Sequence, residues 1–329
     1  MNESGLGEGY QSISPHLTGK DKMNISKQSD ITIGLALGSG SSRGWAHIGI
    51  IRALSEIGIK PDIVCGCSIG SIVGASYLAG NMDVLEDWVS SLTQTDVVKF
   101  LEFNPLLRGF VDATRLQTFF TKYLCEEDTQ FKDLSKIFAT VSTDLATGRE
   151  IWFTKGPVLS SVWASISLPG LFPPIQNQGR WLVDGGLVNP VPVSVCRALG
   201  ADIVLAVNLN GDIVGKHFIK QKPKEYKDDS DVFSTLKKSV RNYSDSFFDK
   251  IKKKDSPPNL LDAISGSLNI TQDRITRSRM AGDPPDILLS PKLAHIGLLE
   301  FYRAKEAIQE GKDCVKRMLP EIEYIMDLT

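Results

Sequence analysis

Two glycine-rich turns, each lying between an apolar stretch and a helical stretch, place the tightest limit on how this chain can fold. The apolar residues 31–37 precede a turn at 38–44, and the apolar residues 61–65 precede a turn at 66–70. Apolar side chains recur at helical spacing after both turns. Strand, helix, strand and helix in this order favour a parallel sheet joined by right-handed crossovers. We therefore predict an α/β fold with a mainly parallel central sheet flanked by helices.

The rest of the chain adds elements of the same kind and two regions of different character. Further strands are predicted near residues 137–142, 151–153, 181–183, 203–207 and 287–289, and further helices near 84–92, 114–123, 158–165, 193–199, 260–280 and 298–319. Residues 1–30 are polar and lack an apolar period, so we interpret them as a flexible tail. The tail precedes a main domain at 31–208, a charged insertion at 209–257 and a C-terminal helical region at 258–329 that completes the domain.

The insertion at 209–257 carries more basic than acidic residues and contains one amphipathic helical pattern. Its apolar positions fall on a single helix face: Val232, Leu236, Val240, Tyr243, Phe247 and Ile251. Lysine and arginine residues beside this face suit a helix that lies on anionic lipid. Packing of the same face against its own domain or a second subunit is the alternative, so the oligomeric state stays open.

Composition excludes several classes of protein. The 329 residues are 42% apolar with a net charge of −2, which is typical of a globular protein and gives no reason to expect nucleic acid as a partner. The five cysteines are odd in number and lack zinc-site spacing, so reduced thiols are expected. No secretory signal is visible, and no apolar run approaches the roughly 18–20 residues that span a bilayer. We predict a cytoplasmic protein that at most contacts the inner membrane peripherally.

The turn at 66–70 reads Gly-x-Ser-x-Gly and makes Ser68 a candidate nucleophile. A nucleophilic serine needs a tight strand-to-helix turn that holds its hydroxyl clear of the backbone, and Gly66 and Gly70 permit that turn because they lack a Cβ. The helix that follows directs its free N–H groups toward the same point. A simple glycine-rich turn without catalytic function is the alternative.

The earlier turn contains Gly38, Gly40, Ser41, Arg43 and Gly44, and its backbone N–H groups can converge on an anion. In acyl transfer that anion is the oxygen of the tetrahedral intermediate. A dinucleotide-binding loop is the competing interpretation. It fits poorly, because the spacing of the glycines differs and no acidic residue ends the second strand.

A third signal is Asp184, which ends a predicted apolar strand and precedes Gly185 and Gly186. The two glycines allow a sharp turn that leaves the carboxylate at the end of the strand, where open α/β sheets place their sites. A carboxylate in that position can accept the proton of a serine. An ordinary Asx turn is the alternative.

A Ser-His-Asp triad is the other arrangement to weigh, and the chain has four histidines, His16, His47, His217 and His295. His16 lies in the tail, His217 in the insertion and His47 on the helix after the first turn. His295 follows Asp184 in the order that α/β-hydrolases use, but no motif surrounds it.

Together these motifs resemble the patatin-like phospholipase family. Residues 34–49 are similar to its glycine-rich segment, 66–70 to its serine elbow, 164–174 to its serine- and proline-rich block, and Asp184-Gly185-Gly186 to its Asp-Gly motif. Residues 277–286 look like the bacterial subgroup related to neuropathy target esterase. The resemblance implies a three-layer patatin-like fold in which residues 31–208 form the catalytic domain.

The resemblance also implies a Ser-Asp dyad with no metal or organic cofactor. Ser68 would attack an ester carbonyl and Asp184 would accept its proton, while the N–H groups of Gly40 and Ser41 hold the oxyanion and Arg43 fixes their loop. The family usually has glycine at the positions of Ser39 and Ser41, and serine resists a positive φ. The expected activity is hydrolysis of phospholipid or lysophospholipid acyl esters, and the alternative is a lipid-binding or regulatory protein with little turnover.

Overall fold

The structure, a computed structural model, describes residues 31–100, 113–213 and 260–326. The tail predicted at 1–30 and the amphipathic helix predicted at 232–251 lie outside these ranges. The strands are β1 (Ile33–Leu37), β2 (Ile63–Cys67), β3 (Ile137–Asp144), β4 (Glu150–Phe153), β5 (Ile175–Asn177), β6 (Arg180–Asp184), β7 (Ile203–Val207) and β8 (Ile287–Leu289). The helices are α1 (Ala46–Glu56), α2 (Ile69–Leu78), α3 (Met82–Ser91), α4 (Gln94–Phe100), α5 (Ala113–Tyr123), α6 (Val158–Ile166), α7 (Val193–Ala198), α8 (Leu260–Gly282) and α9 (Ala304–Ile325).

The described strands form one sheet in the order β5, β6, β3, β2, β1, β7 and β8, and β4 also pairs with β3. Strands β1, β2, β3, β7 and β8 are parallel, whereas β4 and β6 run antiparallel to β3. The predicted α/β fold with a mainly parallel sheet is therefore confirmed. Because β8 pairs with β7, the C-terminal region contributes a strand to the same sheet as residues 31–208.

The sheet buries both of its faces, as expected for parallel strands covered by helices. Alternate residues point to opposite sides. Leu35 and Leu37 of β1 face the larger core with α1, α2, α3, α5, α6 and α9, whereas Ala36 faces a smaller core with α7. The five cysteines are buried free thiols. Helices therefore cover the sheet on both sides, which is the three-layer arrangement.

Several boundaries differ from the sequence-based expectation. Strand β2 continues to Cys67, so the strand contains Gly66 and reaches the turn directly. Strand β5 and helix α4 were not predicted, since three and seven residues are too short to show a clear apolar period. The last helix begins at Ala304 rather than 298 and continues through Pro320 to Ile325. Pro320 is exposed, so the carbonyl that loses a donor can bond to water.

No helix in the described ranges is both long and apolar enough to cross a membrane. The same ranges contain no group of three or more His, Cys, Asp or Glu side chains arranged to hold a metal ion.

Candidate active site

Ser68 lies at the turn between β2 and α2 with φ 55° and ψ −124°. A positive φ is uncommon for a residue with a Cβ. The flanking glycines allow the chain to close up around it. A Cβ on Gly66 would lie 2.5 Å from the Cα of Ser71, and one on Gly70 would overlap the carbonyl of Leu37. The turn predicted at 66–70 therefore requires glycine at both positions.

The backbone of Ser68 is held by a side chain of α6. The N–H of Ser68 donates to Ser165 Oγ at 2.9 Å, and Ser165 Oγ donates to the carbonyl of Val141 at 2.7 Å. Ser165 is fully buried. The nucleophile candidate is thus fixed to both β3 and α6, while its hydroxyl remains available for another partner.

Asp184 reaches Ser68 from a strand of opposite direction. Strand β3 separates β2 from β6, with Cys67 paired to Val141 and Asp184 paired to the next residue, Ser142. Because β6 is antiparallel to β3, its first residues lie beyond the end of β2, and its last residue, Asp184, lies level with that end. The carboxylate therefore lies beside Ser68, even though its strand breaks the parallel order that the sequence suggested.

Each oxygen of the Asp184 carboxylate has one hydrogen bond. Oδ2 accepts from Ser68 Oγ at 2.5 Å, and Oδ1 accepts from the N–H of Gly186 at 2.7 Å. The backbone of Asp184 is anchored as well, because its N–H donates to Ser167 O at 3.0 Å and its carbonyl accepts from Thr143 Oγ1 at 2.8 Å. The carboxylate is held in one orientation and points Oδ2 at the serine.

Burial sets the proton affinity of Asp184. The residue is 1% exposed, and loss of solvation raises the pKa of its carboxyl from about 4 to about 6. The hydrogen bonds from Ser68 and Gly186 lower the pKa and offset part of that rise. A carboxyl with a pKa of about 6 is ionised near neutral pH and binds a proton more readily than an ordinary aspartate.

The loop at 38–44 presents two backbone N–H groups. Gly38 N–H donates to the carbonyl of Val207 and Ser39 N–H to that of Pro190. The N–H groups of Gly40 and Ser41 have no acceptor among the described residues. Both residues line the cavity that contains Ser68 and Asp184. The loop thus leaves two adjacent donors beside the Ser-Asp pair.

Ser41 adopts the positive φ that serine resists, at 53°. Its hydroxyl donates to the carbonyl of Leu298 at 2.7 Å, and the hydroxyl of Ser42 donates to that of Gly297 at 2.6 Å. These bonds to the segment before α9 hold the turn in its strained conformation. At Ser41, long-range hydrogen bonds therefore take the place of glycine's conformational freedom.

Arg43 is 2% exposed and braces the loop from inside. Its Nε donates to the carbonyl of Gly40 at 3.1 Å, and its Nη2 donates to Asn269 Oδ1 of α8 at 2.9 Å. Burial lowers the pKa of the guanidinium to about 10, and the charge of Asp212 raises it in part. The carbonyl it binds belongs to the peptide group whose N–H is that of Ser41.

Gly38 and Gly44 are required by close packing. A Cβ on Gly38 would overlap the carbonyl of Val207, and one on Gly44 would overlap the side chain of Ile69. Since Ile69 follows Ser68, the second contact ties the oxyanion-loop candidate to the serine turn.

The two histidines among the described residues, His47 and His295, make no contact with Ser68. His47 is fully buried, its Nε2 donates to the carbonyl of Gly38 at 2.8 Å, and burial lowers the pKa of its ring to about 4. His295 is partly exposed, with Nε2 2.6 Å from Glu306 Oε1. Neither lines the cavity with Ser68. His16 and His217 lie outside the described residues.

A cavity of about 770 Å³ opens from the Ser-Asp pair. Its walls are mainly apolar and include Ile72, Leu116, Phe119, Leu171, Phe172 and Leu298. An apolar cavity of several hundred cubic ångströms with a few polar groups at one end is typical of a site for a small ligand. The polar end here consists of the two serine-containing turns and Asp184.

Several residues of the site were not identified from the sequence. Ser165 lies in the 164–174 block, where a signal was present but no role was assigned. Helix α8 carries buried polar side chains at helical spacing, namely Asn269, Gln272, Asp273 and Thr276. A polar stripe in a helix that also carries apolar residues is the pattern that could have indicated a contact with the site.

A profile of the patatin-like phospholipase family matches residues 35–197. An uncharacterized NTE family protein of Mycobacterium tuberculosis is 27% identical over 92% of this chain and 95% of its own length. A protein of Pyricularia oryzae named lysophospholipase NTE1 is 30% identical over 85% of this chain, but the match spans only 18% of that much longer protein.

Among solved structures, the crystal structure of VipD from Legionella pneumophila is 14% identical, with a TM-score of 0.45. The match covers 88% of this chain and 66% of that one.

Proposed function

Because the chain belongs to the patatin-like phospholipase family and is a lipid ester hydrolase, we propose that it uses a dyad of Ser68 and Asp184 to cleave acyl esters of phospholipids or lysophospholipids. The observation that carries this proposal is the 2.5 Å hydrogen bond from Ser68 Oγ to Asp184 Oδ2. A buried carboxylate that already accepts the serine's proton in a hydrogen bond is positioned to act as the general base.

The first half-reaction transfers the acyl group to the enzyme. Ser68 Oγ attacks the ester carbonyl carbon as its proton moves to Asp184 Oδ2. The carbonyl oxygen becomes an oxyanion, which the N–H groups of Gly40 and Ser41 stabilise. Collapse of this intermediate breaks the bond to the alcohol, and the departing oxygen takes the proton from Asp184.

The second half-reaction releases the fatty acid. A water molecule gives its proton to Asp184 and attacks the acyl carbon, and the bond to Ser68 Oγ breaks as the serine regains a proton. Arg43 supports both steps by holding the carbonyl of Gly40, which keeps the Ser41 N–H directed into the cavity. His47, with a pKa of about 4, is neutral at pH 7 and bonded to the loop, so it supports the fold of the loop rather than proton transfer.

The apolar cavity supports an acyl chain as the group that is bound. Lysophospholipid is the substrate class that the name of the fungal relative suggests, and diacyl phospholipid is the alternative within the same chemistry. A cytoplasmic location, peripheral contact with a membrane and self-association remain part of the proposal. Loss of vesicle co-sedimentation on deletion of residues 230–255 would support membrane contact through the insertion, and unchanged binding would contradict it.

The decisive experiment is a panel of lipid and acyl-ester substrates with the wild type, Ser68→Ala and Asp184→Asn. Both variants should lose activity by at least roughly 10⁴-fold while remaining folded. Ser76→Ala is the matched control, since Ser76 is a buried serine of α2 whose hydroxyl bonds to the carbonyl of Tyr123. Full activity of Asp184→Asn would exclude the dyad, and loss of activity in His295→Ala would point to a triad.

Two further measurements separate turnover from binding alone. A fluorophosphonate probe should label the wild type and not Ser68→Ala, whereas a lipid-binding protein without turnover would not be labelled. The kcat/KM should fall about tenfold per pH unit below the Asp184 pKa of about 6, because only the ionised carboxylate can accept the proton.

A further inference from the structure

Helix α8 turns a polar stripe toward the site. Asn269, Gln272, Asp273 and Thr276 follow the spacing of one helix face and are each less than a tenth exposed. Buried polar side chains are costly unless they find partners, and Asn269 and Gln272 find theirs on other elements. Asn269 meets Arg43 of the oxyanion loop, as described above. Gln272 lies one turn further along and lines the cavity with Ser68 and Asp184.

The orientation of the Gln272 amide is fixed by its neighbours. Asn210 Nδ2 lies 3.4 Å from the carbonyl of Ser39 and 2.9 Å from Gln272 Oε1. A carbonyl can only accept, so Asn210 must turn its NH₂ group to Ser39, and the same NH₂ group then faces Gln272. Gln272 therefore presents its oxygen to Asn210 and its own NH₂ group to the opposite side.

That NH₂ group lies next to the catalytic base candidate. A Cβ built on Gly186 would be 2.5 Å from Gln272 Nε2 and 3.0 Å from both Asp184 Oδ1 and Ser39 Oγ, so these polar groups surround one point. Gln272 Nε2 has no hydrogen-bond acceptor among the described residues. The atom is also not fully enclosed by protein. The two N–H bonds are therefore available at the cavity wall beside Asp184.

We propose that Gln272 is a further substrate-contacting residue, whose Nε2 donates a hydrogen bond to the alcohol oxygen of the acyl ester. This inference rests on the proposed Ser-Asp mechanism. Asp184 hands its proton to that oxygen, so the oxygen lies on the Asp184 side of the reacting carbon. Gln272 is placed on this side.

The same contact serves both half-reactions. In the first, the carbon–oxygen bond to the alcohol breaks, and the leaving oxygen takes the proton from Asp184 while Gln272 stabilises its developing charge. In the second, water occupies that position, gives its proton to Asp184 and bonds to the acyl carbon. Gln272 transfers no proton in either step, so its role is to orient and stabilise one oxygen.

The proposal is tested by comparing esters whose leaving groups differ in how much stabilisation they need. A glycerol alkoxide is a poor leaving group that needs stabilisation, whereas p-nitrophenolate spreads its charge over its ring and needs little. Burst and steady-state kinetics should be measured with a p-nitrophenyl ester and a monoacylglycerol of the same acyl chain. Gln272→Met keeps the approximate size of the side chain without its N–H groups, and Gln272→Glu keeps an oxygen for Asn210.

In both Gln272 variants, kcat/KM for the monoacylglycerol should fall on the order of tenfold, the effect of about one lost hydrogen bond. The burst rate with the p-nitrophenyl ester should change less than about twofold, and the slow phase after the burst should fall about tenfold. In Gln272→Glu, the acidic fall in kcat/KM should also begin at a higher pH, because a second carboxyl group beside Asp184 raises the pKa of Asp184. Thr276→Val, one turn along the same stripe, should leave every rate unchanged.

Two results would show that Gln272 acts only on the fold and would overturn the proposal. One is a fall in the p-nitrophenyl burst rate equal to the fall in kcat/KM for the monoacylglycerol, and the other is slower labelling by the fluorophosphonate. Unchanged rates for both esters would overturn it as well. A wild type with neither a burst nor Ser68-dependent labelling would instead refute the dyad itself. The two failures are thus distinguishable in one set of measurements.

Discussion

The turns that contain Ser41 and Ser68 have a similar backbone conformation but leave different groups of the serine without a backbone or loop partner. Ser41 follows β1 with φ 53°, and Ser68 follows β2 with φ 55°. The strands are parallel neighbours, and each turn leads into helical structure. Ser41 lines the cavity and its N–H has no acceptor among the described residues, whereas the hydroxyl of Ser68 donates to Asp184.

Distant partners create this difference. The hydroxyl of Ser41 donates to the carbonyl of Leu298, while its N–H has no acceptor among the described residues. The N–H of Ser68 is bound to Ser165, which leaves its hydroxyl for Asp184. Each glycine-rich strand-to-helix turn therefore holds a serine at positive φ, and the tertiary contact differs in whether it occupies the hydroxyl or the N–H of that serine.

Among the tests of this comparison, the largest expected effect concerns the Ser41 turn. Arg43→Ala removes the side-chain hydrogen bonds to the Gly40 carbonyl and to Asn269 and keeps only the backbone bond from Arg43 N–H to Gly40, so the Ser41 N–H is held less firmly. We expect kcat to fall by about 10²–10³, the typical cost of one oxyanion donor. Steady-state kinetics measures this loss. Arg52→Ala is the control, since Arg52 of α1 is partly exposed and paired with Asp83 and Glu86. Equal losses in both variants would contradict the assignment.

The next effect concerns Asp184, the partner of Ser68, and its contribution to the free energy of unfolding. Burial raises the pKa of Asp184 to about 6, so the folded state binds a proton more tightly than the unfolded chain. The contribution of this carboxyl to stability is thus greatest at low pH and is lost as the pH rises from about 4 to about 6. Asp184→Asn is uncharged throughout. It should be more stable than the wild type by on the order of 2–3 kcal/mol at pH 8, and the difference should close near pH 4.

Urea denaturation at both pH values measures the free energy of unfolding for Asp184→Asn. A constant difference between pH 4 and pH 8 would show that the buried charge is not its source.

A smaller effect tests what holds the Ser68 turn. Ser165→Ala leaves the N–H of Ser68 without its acceptor and should lower the free energy of unfolding by about 1–2 kcal/mol. The kcat should fall as well, because the nucleophile is less firmly placed. Ser161→Ala is matched in helix and burial, but its hydroxyl bonds only to Val158 O within α6. Thermal unfolding and kinetics of the two variants should therefore differ, and identical behaviour would remove the special role of Ser165.

The smallest effect compares the strain at the two serines directly. At each position the glycine variant should be more stable than the alanine variant by about 1 kcal/mol, because only alanine has a Cβ that opposes a positive φ. Ser41→Gly and Ser41→Ala lose the same bond to Leu298, and Ser68→Gly and Ser68→Ala lose the same bond to Asp184. Chemical denaturation of the four variants gives both differences. A difference at one position only would show that the two turns are not equivalent.

The sequence was most informative where chemistry and backbone are local. Both turns could be predicted because glycines at Gly66, Gly70 and Gly38 meet backbone atoms at distances that exclude any side chain. Most strands and helices could be placed because their apolar spacing follows directly from which faces are buried.

The rest depends on pairing between distant segments, which spacing along the chain does not report. Strand β6 pairs with β3 in the antiparallel direction. The alternation of buried and exposed residues along a strand is the same in either direction, so the sequence does not reveal it. The contacts of Ser165 and Gln272 are similar cases, since a buried serine or glutamine becomes informative only when its partner is known. The continuation of α9 beyond Pro320 depends on an exposed carbonyl, which only the packing of the helix reveals.

The bond from Ser41 to Leu298 has a consequence in time. The two residues are 257 positions apart, and a ribosome takes roughly 10–50 s to cover that distance. For most of that interval the growing chain already contains Ser68 but lacks Leu298, whose carbonyl holds the hydroxyl of Ser41. Chains that stop before Leu298 would therefore lack the hydrogen bond that holds the turn at 38–44, and we expect them to be inactive.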